Sequence, residues 1–506
     1  MKTYSVLRFS LAMVLAGTLG SAAAQDKPQD KHPEKPARVE QHESGKGVLR
    51  LLPGDAVTEH SIDTPRGKLS YTATAGTLAF YDQSGDQSAA VFYTSYVAKG
   101  APANRPLTFV FNGGPGAASA FLHLGLAGPR ILDLGPDGRD AATATLRDNP
   151  DTWLNFTDLV LIDPIGTGWS RTVKPDDAKH FWSIRADADS FAKAIALYVA
   201  KNNRSGSPKY LFGESYGGFR AAKVARALQR EQGIVTSGII MLSPMLEGWL
   251  TFGDDESALR AALQLPSLAA AELERKNEFN SAALAKAEKF AMTDYLMTMT
   301  GAPPKGDAGN AFYGRVAQIT GLPLDVVTQA RGFVADAFVK SLRPNGKIVS
   351  RYDANFAVDD PYPETRDAHG PDPILDGVSR AYGGAMASYA RNELGFKTEM
   401  TYALLSNDVT GHWDWQGGRL QASVEDDVRT LLAFSPSFRL LIAHGLSDMI
   451  TPFGMTRYML DHLPADTAPR AQLKLYRGGH MVYLDAGSRK AFSADAAAFY
   501  RDGGVN

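Results

Sequence analysis

The sequence predicts an α/β fold with a mostly parallel central sheet. Apolar and β-branched runs, typical of strands buried on both faces, alternate with segments of helical spacing. Because a strand, a helix and a second strand form a right-handed parallel unit, this alternation favours one sheet covered by helices. The length of 506 residues is enough for a large core and roughly one to three domains.

The predicted elements follow in order along the chain. From His60 the sequence is strand-like, with short apolar runs at 78–81 and 90–93 that are separated by Gly, Asp and Ser turns. Continuous apolar runs and helical spacing then alternate. The predicted strands are 107–111, 159–162, 210–212, 239–242, 440–443 and 473–476, and the predicted helices between them are 186–200 and 221–229.

A long insertion interrupts this alternation. Residues 255–345 are rich in Ala, Leu, Lys and Glu at helical spacing, and 346–400 mix loop with helix. The sequence therefore predicts an α/β core at 47–246 and 401–506, with an inserted and mainly helical cap at 247–400.

The N-terminus has the pattern of an export signal. Two basic residues precede an apolar run at 9–19 and three alanines at 22–24. The run is shorter than the ~20 residues needed to span a membrane. The alternative to an export signal is a buried N-terminal helix. We predict a signal peptide at 1–24, a disordered, charged lead-in at 25–46, and an exported protein, periplasmic or secreted.

Composition and charge exclude several classes of function. The chain has no cysteine, which rules out a thiol nucleophile, a disulfide, a thiolate metal site and a lipoprotein anchor. A net charge of −2 argues against a nucleic-acid binder. The sequence contains no H-E-x-x-H pattern, so nothing in it supports a zinc hydrolase. We predict no metal and no cofactor, and a nucleophile that is an oxygen or a nitrogen.

One motif has the context of a nucleophile elbow. Residues 213–217 match G-x-S-x-G around Ser215, between the predicted strand 210–212 and the predicted helix 221–229. Such a sharp turn projects the serine hydroxyl from the end of the strand. The structural alternative is a turn serine.

A serine nucleophile needs a base and an acid, which follow it in this order: serine, acid, histidine. His480 follows the strand 473–476 and two glycines, and Asp448 follows the strand 440–443. A buried carboxylate would hold the imidazole in the required tautomer. The alternatives are a structural histidine and a turn or helix-capping aspartate.

Acyl transfer also needs an oxyanion hole. The N–H of Tyr216, directly after the serine, is one expected donor, and a glycine loop at 112–116 follows the strand 107–111 and suits the other. A dinucleotide-binding loop is the competing interpretation. Against this interpretation, the segment 112–116 lacks the third glycine of the G-x-G-x-x-G pattern, and Pro115 interrupts the turn.

Together these motifs resemble the serine carboxypeptidases, peptidase family S10. They occur in family order over about 107–485, and Asp163-Pro164 is closest to bacterial members. The matching segments are Asn112–Gly116, Asn149-Pro150 with Trp153, Asp163–Ser170, Gly213–Gly218, Asp448 and Gly479-His480.

The resemblance implies an α/β-hydrolase core with a helical cap and activity on the C-termini of peptides or proteins. It assigns the catalytic triad, the backbone donors of the oxyanion hole, and the residues that bind the terminal carboxylate of the substrate. These are Ser215, Asp448 and His480 for the triad, Gly114 and Tyr216 for the hole, and Asn112, Gly113 and Glu214 for the carboxylate.

The chain departs from the family at one point of the glycine-loop region. Members that bind a carboxylate with an acid pair carry a second Glu before a Gly-Pro, where this chain has Leu126 or Ala127. An esterase or acyltransferase on the same triad is therefore the alternative activity, and a non-catalytic peptide-binding envelope protein is the alternative from another class. Ala117 replaces a family cysteine. The predicted partners are peptides, without nucleic acid or membrane anchor, and the oligomeric state is left open.

Overall fold

A ten-stranded sheet organises the part of the chain that this computed structural model describes, residues 45–135, 138–342, 346–365 and 367–502. The strands are β1 (Ala56–Thr64), β2 (Gly67–Tyr81), β3 (Gln87–Ala98), β4 (Leu107–Phe111), β5 (Arg130–Asp133), β6 (Thr145–Asp148), β7 (Asp158–Ile162), β8 (Arg171–Thr172), β9 (Lys209–Glu214), β10 (Gly238–Leu242), β11 (Lys347–Val349), β12 (Ala357–Asp359), β13 (Arg439–Gly445) and β14 (Ala471–Tyr476).

Helices connect and cover these strands. They are α1 (Ala120–Leu122), α2 (Ile184–Lys201), α3 (Tyr216–Glu231), α4 (Gly248–Phe252), α5 (Ala258–Arg275), α6 (Ser281–Phe290), α7 (Leu296–Met299), α8 (Gly306–Thr320), α9 (Leu324–Gln329), α10 (Ala335–Ser341), α11 (Ala381–Asn392), α12 (Asn407–Gly411), α13 (Glu425–Phe434), α14 (Phe453–Asp461) and α15 (Ala486–Asp502). The π-helical segments are His123–Ala127, Ala291–Tyr295 and Pro373–Val378, and the 3-10 segments are Gly47–Leu51, Trp153–Asn155, Pro175–Phe181, Ala468–Arg470 and Val482–Leu484.

The sheet is parallel where the candidate site lies. Its order is β1-β2-β3-β7-β4-β9-β10-β13-β14, with β8 beside β3. In this spatial order, the neighbouring strands from β7 onward, namely β7, β4, β9, β10, β13 and β14, pair in parallel. Phe111 is in register with Gly213, and Leu242 with Glu214. The carboxyl ends of β4, β9 and β10 therefore meet at one edge, and the α/β prediction is confirmed.

The parallel strands are buried on both faces, as their apolar runs predict. In β4, Val110 packs into the core on one side of the sheet, while Phe109 and Phe111 pack into the core on the other. In β9, Phe212 and Leu211 divide in the same way. Strands with two apolar faces give the edge above them a rigid support.

The region before β4 differs from the prediction of short strands. The predicted runs 78–81 and 90–93 lie inside β2 and β3, of 15 and 12 residues, which are antiparallel. A turn-forming residue, Gly76, lies in the middle of β2, where a Cβ would approach an Asp55 carboxylate oxygen to 2.0 Å. Gly76 therefore allows the close approach of Asp55 to the strand and does not form a turn.

The interval between β10 and β13 is mainly helical and has an apolar cluster of its own. The predicted helical spacing of 255–345 corresponds to α5 to α10, and the short antiparallel pair β11–β12 follows. Members of this cluster include Ala262, Leu265, Leu268, Tyr295, Val316, Phe338 and Ile348. The boundaries of 247–400 stay a prediction, as do the core limits.

The predicted signal peptide, 1–24, and nearly all of the lead-in, 25–46, lie outside the described residues. Among the helices that the structure describes, none is long and apolar enough to cross a membrane.

Candidate active site

Ser215 lies on a sharp turn between β9 and α3. Its backbone has φ 61° and ψ −127°, a strained conformation for a residue with a side chain. Its N–H donates to the carbonyl of Leu242 at 2.9 Å, and its carbonyl accepts from the N–H of Gly218 at 2.9 Å. The turn is therefore fixed on both sides, with Ser215 at the edge of the sheet.

Two glycines allow this turn to pack. A Cβ at Gly213 would lie 1.9 Å from the carbonyl oxygen of Gly217, and a Cβ at Gly217 would lie 2.8 Å from that of Phe111. The glycines of the G-x-S-x-G pattern thus let β9, the first turn of α3 and the end of β4 approach one another.

His480 and Asp448 form a buried pair at the same edge. The Nδ1 of His480 lies 2.9 Å from Oδ2 of Asp448, and both side chains are almost fully buried. The N–H groups of Ile450 and Thr451 donate to Oδ1 of Asp448 at 2.8 and 3.1 Å. The Thr451 hydroxyl lies 2.9 Å from Oδ2. With Nδ1 facing the carboxylate, Nε2 is the imidazole nitrogen left for other contacts.

Each member of the pair stabilises the charged form of the other. Burial raises the pKa of Asp448, but the charge and hydrogen bond of His480 outweigh burial, and the pKa lies below its ordinary value. Burial lowers the pKa of His480, but Asp448 outweighs it, and the pKa is raised. An imidazole with a raised pKa and an ionised partner is suited to accept a proton.

The loop that carries His480 is held by its neighbours. The N–H of His480 donates to the carbonyl of Tyr352 at 2.6 Å, and its carbonyl accepts from the Ser243 hydroxyl at 2.8 Å. The Tyr352 ring meets the imidazole edge-on at 5.2 Å between centroids. A Cβ at Gly479 would lie 1.9 Å from the Tyr352 carbonyl, so the glycine before His480 is needed for this contact.

Glu214 and Asn112 form a second buried pair. The Asn112 amide donates to Oε2 of Glu214 at 2.5 Å, and the Tyr483 hydroxyl lies 3.1 Å from both carboxylate oxygens. Burial raises the pKa of Glu214 to about 7, against the charge of His480 and these hydrogen bonds. Below that pH the side chain is a neutral acid that can donate to an anionic ligand.

The glycine loop lies against the start of α3. A Cβ at Gly113 would be 2.5 Å from the N atom of Tyr216, and Gly114 has φ 100°. The Gly113 carbonyl accepts from the N–H of Ala117 at 3.1 Å. In the described part of the chain, the N–H groups of Gly114 and Tyr216 donate to no protein acceptor. Both are therefore available to an oxygen atom of a ligand.

All eight residues selected from the sequence lie in this region of the sheet edge. A cavity of about 140 Å³ is lined by Asn112, Gly113, Gly114, Glu214, Ser215, Tyr216 and His480, and Asp448 lies behind His480. The remaining walls are mainly apolar and come from Ala117, Phe121, Met245, Thr251, Phe252, Tyr352, Leu375, Leu405, Ile450, Thr451 and Met481. Among the described residues no group of three or more candidate ligands could hold a metal ion.

Sequence comparison relates this chain to known proteins. The profile of the serine carboxypeptidase family matches residues 67–257. Over these residues the chain is similar to the serine carboxypeptidases. The match contains the glycine loop and the elbow, whereas Asp448 and His480 lie beyond it, so their pairing rests on the geometry described above.

Curated relatives align over part of their length. Serine carboxypeptidase-like 44 of Arabidopsis thaliana is 28% identical over 144 residues, which cover 27% of each chain. Carboxypeptidase sxa2 of Schizosaccharomyces pombe is 30% identical over 128 residues, which cover 24% of this chain and 23% of that protein. The alignments thus span about a quarter of these relatives.

The fold is shared over a longer range. Kex1Δp, a prohormone-processing carboxypeptidase from Saccharomyces cerevisiae, superposes with a TM-score of 0.51 at 15% identity, covering 85% of this chain and 92% of that one. With the mostly parallel sheet and the elbow, this identifies the α/β-hydrolase fold that the family resemblance implies.

Sequence reasoning missed four residues that support the site. Ser243, Tyr352, Thr451 and Tyr483 contact His480, Asp448 or Glu214 through side chains or backbone. Ser243 directly follows the predicted strand 239–242, at the same edge as the elbow, and this position could have indicated it. Tyr352 comes from the variable insertion, where no motif marks it.

Proposed function

We propose that this protein is a serine-type carboxypeptidase that hydrolyses C-terminal peptide bonds through an acyl-enzyme. The main observation behind the proposal is that His480, paired with the buried Asp448, lines one cavity with Ser215 and with the Gly114 and Tyr216 N–H groups, which have no acceptor among the described residues. The similarity to serine carboxypeptidases over 67–257 and the shared fold support the same conclusion.

The reaction follows from these groups. Ser215 Oγ attacks the carbonyl carbon while Nε2 of His480 takes its proton, and the N–H groups of Gly114 and Tyr216 stabilise the oxyanion. The imidazolium, stabilised by Asp448, then gives this proton to the departing amino group. In the second half, His480 takes a proton from water as the water oxygen attacks the ester carbonyl carbon, and the imidazolium gives this proton to Ser215 Oγ as the ester bond breaks.

The choice of a C-terminal bond is attributed to the other pair. We propose that Asn112, Gly113 and neutral Glu214 bind the terminal carboxylate of the substrate, because a neutral acid can donate to an anion that an ionised one would repel. The cavity lining holds one carboxylate in the described residues, that of Glu214, and is otherwise mainly apolar. We therefore expect apolar side chains next to the cleaved bond.

A peptide-library digest read by mass spectrometry tests the proposal. Wild-type protein should remove single C-terminal residues, apolar ones fastest, and a fluorophosphonate should label it at Ser215. The Ser215→Ala variant should lose labelling and about a million-fold in kcat, as removal of a triad nucleophile does. Full activity in that variant would overturn the mechanism.

An esterase or acyltransferase is the second candidate, favoured by the apolar residues Leu126 and Ala127 where the family has an acid. Hydrolysis of a blocked dipeptide, its C-terminal amide and a simple ester separates the two candidates. A carboxypeptidase prefers the free carboxylate, whereas an esterase does not. Tight peptide binding without labelling or turnover would instead support the non-catalytic alternative.

Export is a separate proposal that rests on the sequence pattern of residues 1–24. N-terminal sequencing of the protein recovered outside the cytoplasm should begin at Gln25. An N-terminus that retains the apolar run would contradict it.

A further inference from the structure

A buried arginine lies beneath the candidate oxyanion hole and has no role in the mechanism above. The Arg220 side chain is fully buried, and its Nε donates to Oδ2 of Asp187 at 2.6 Å. Its Nη1 donates to the backbone carbonyl of Asn112. Asp187 is buried in the first turn of α2, so the arginine joins α2, α3 and the end of β4.

The carbonyl that Arg220 binds is the first of the glycine loop. Asn112 directly follows β4, and the next carbonyl, that of Gly113, is held by the N–H of Ala117. Since the C=O and N–H of a trans peptide point in opposite directions, fixing the Gly113 carbonyl directs the Gly114 N–H away from Ala117. Arg220 thus anchors the peptide that precedes a candidate oxyanion donor.

The same side chain contacts the element that carries the other donor. Arg220 lies one turn after Tyr216 on α3, and its guanidinium carbon is 5.2 Å from the centroid of the Tyr216 ring and 5.0 Å from that of Phe191. A planar guanidinium can bind a carboxylate, a carbonyl and aromatic faces at once. One residue therefore links the Gly114 side of the hole to the Tyr216 side.

Stability alone does not account for this arrangement. A buried ion pair contributes little net stability, because removal of both charges from water opposes their attraction. In addition, Nη2 of Arg220 has no partner among the described residues. Burial of an incompletely paired cation is unfavourable, so the arrangement indicates a geometric role.

We propose that Arg220, held by Asp187, is a positioning residue that sets the spacing between the Gly114 and Tyr216 N–H groups. It does not touch the substrate. The inference rests on the proposed function, since an oxyanion hole is meaningful only in an acyl-transfer enzyme. A displaced donor should lower kcat and weaken binding of tetrahedral analogues, with little effect on ground-state binding.

The test is the variant Arg220→Lys with Arg105→Lys as its matched control. Lysine keeps the charge near Asp187 but cannot also reach the Asn112 carbonyl in a fork. Arg105 likewise binds an aspartate, Asp158, at 2.6 Å and a backbone carbonyl, that of Leu154, at 2.5 Å. Asp158 begins β7, at the sheet edge opposite the site.

We expect Arg220→Lys to lower kcat by about 10- to 100-fold, less than the loss of a whole donor, with KM within about twofold. The affinity for a peptidyl boronic acid, whose adduct places an oxygen in the hole, should fall by the same factor as kcat/KM. Arg105→Lys should leave both unchanged. A kcat for Arg220→Lys within twofold of wild type, or equal losses in both variants, would overturn the proposal.

A second variant covers the case in which lysine prevents folding. Asp187→Leu with Arg220→Met replaces the ion pair by apolar groups, an exchange that proteins often tolerate. It should give a folded protein with the same selective loss of kcat, and wild-type kcat in it would also overturn the proposal. Wild-type protein that a fluorophosphonate does not label would instead reject the proposed function itself.

Discussion

Two buried carboxylates in one site behave in opposite ways. Glu214 ends β9 and Asp448 follows β13, two parallel strands on either side of β10, and both residues lie within the candidate active site. The pKa of Asp448 lies below its ordinary value, whereas the pKa of Glu214 is raised to about 7. Burial alone does not decide whether a carboxyl group is ionised.

The difference comes from the partners of each group. Asp448 accepts from two backbone N–H groups and a hydroxyl, and it lies against His480, whose charge favours the ionised form. Glu214 accepts from the neutral side chains of Asn112 and Tyr483, which do not balance the loss of water. Asp448 is thus suited to stabilise an imidazolium, and Glu214 is suited to donate a hydrogen bond to an anion.

Neutralising Asp448 should have the largest effect on activity. We expect Asp448→Asn to lower kcat by about 10⁴-fold, because an amide selects the wrong imidazole tautomer and cannot stabilise its cation. Steady-state kinetics on a peptide measures the loss. Asp495→Asn is the matched control, since Asp495 accepts from the Tyr476 hydroxyl outside the site. A loss below tenfold would exclude Asp448 from the triad.

The pH dependence of Glu214 provides the next test. As pH rises through about 7 the folded Glu214 loses its proton, and a free-carboxyl peptide should bind less tightly. We expect its Kd for the Ser215→Ala protein to rise about tenfold from pH 6 to pH 8, measured by calorimetry. Adding Glu214→Gln, which is neutral at every pH, should flatten the curve.

An amidated peptide is the control ligand, and its Kd should not change over this range. A free-carboxyl peptide whose Kd is equally flat on the Glu214 protein would contradict a neutral acid at this position. The slope also bears on the departure at Leu126 and Ala127. Burial is the largest cause that raises the pKa of Glu214, and the charge of Asp448 adds to it, so a second Glu in the carboxylate-binding pair is not required for acid dependence.

Removal of the Tyr483 hydroxyl should change the pKa of Glu214 only slightly. Its hydroxyl stabilises the ionised form of Glu214, so Tyr483→Phe should raise the pKa of Glu214 further. The rise in Kd should then begin at a higher pH, shifted by up to about one pH unit. A shift to lower pH would mean that the hydroxyl accepts from the neutral acid instead.

Much of the fold is readable from local pattern. The parallel strands of the core are apolar on both faces, so their runs predicted β4, β7, β9, β10, β13 and β14 to within two residues at each end. The long strands β2 and β3 were predicted as short runs, because only 78–81 and 90–93 were identified as apolar and β-branched runs within them. Their pairing on both sides decides otherwise.

The order of the candidate site residues along the chain is readable without the structure. An elbow serine and a glycine loop each follow a strand, and so do an aspartate and a histidine, and parallel strands bring such ends to one edge. The different pKa shifts of the two carboxylates, and the supporting contacts of Tyr352, Thr451, Tyr483 and Arg220, are visible only in the folded chain. The physical reason is that pKa values and hydrogen-bond partners depend on burial and on neighbours distant in sequence.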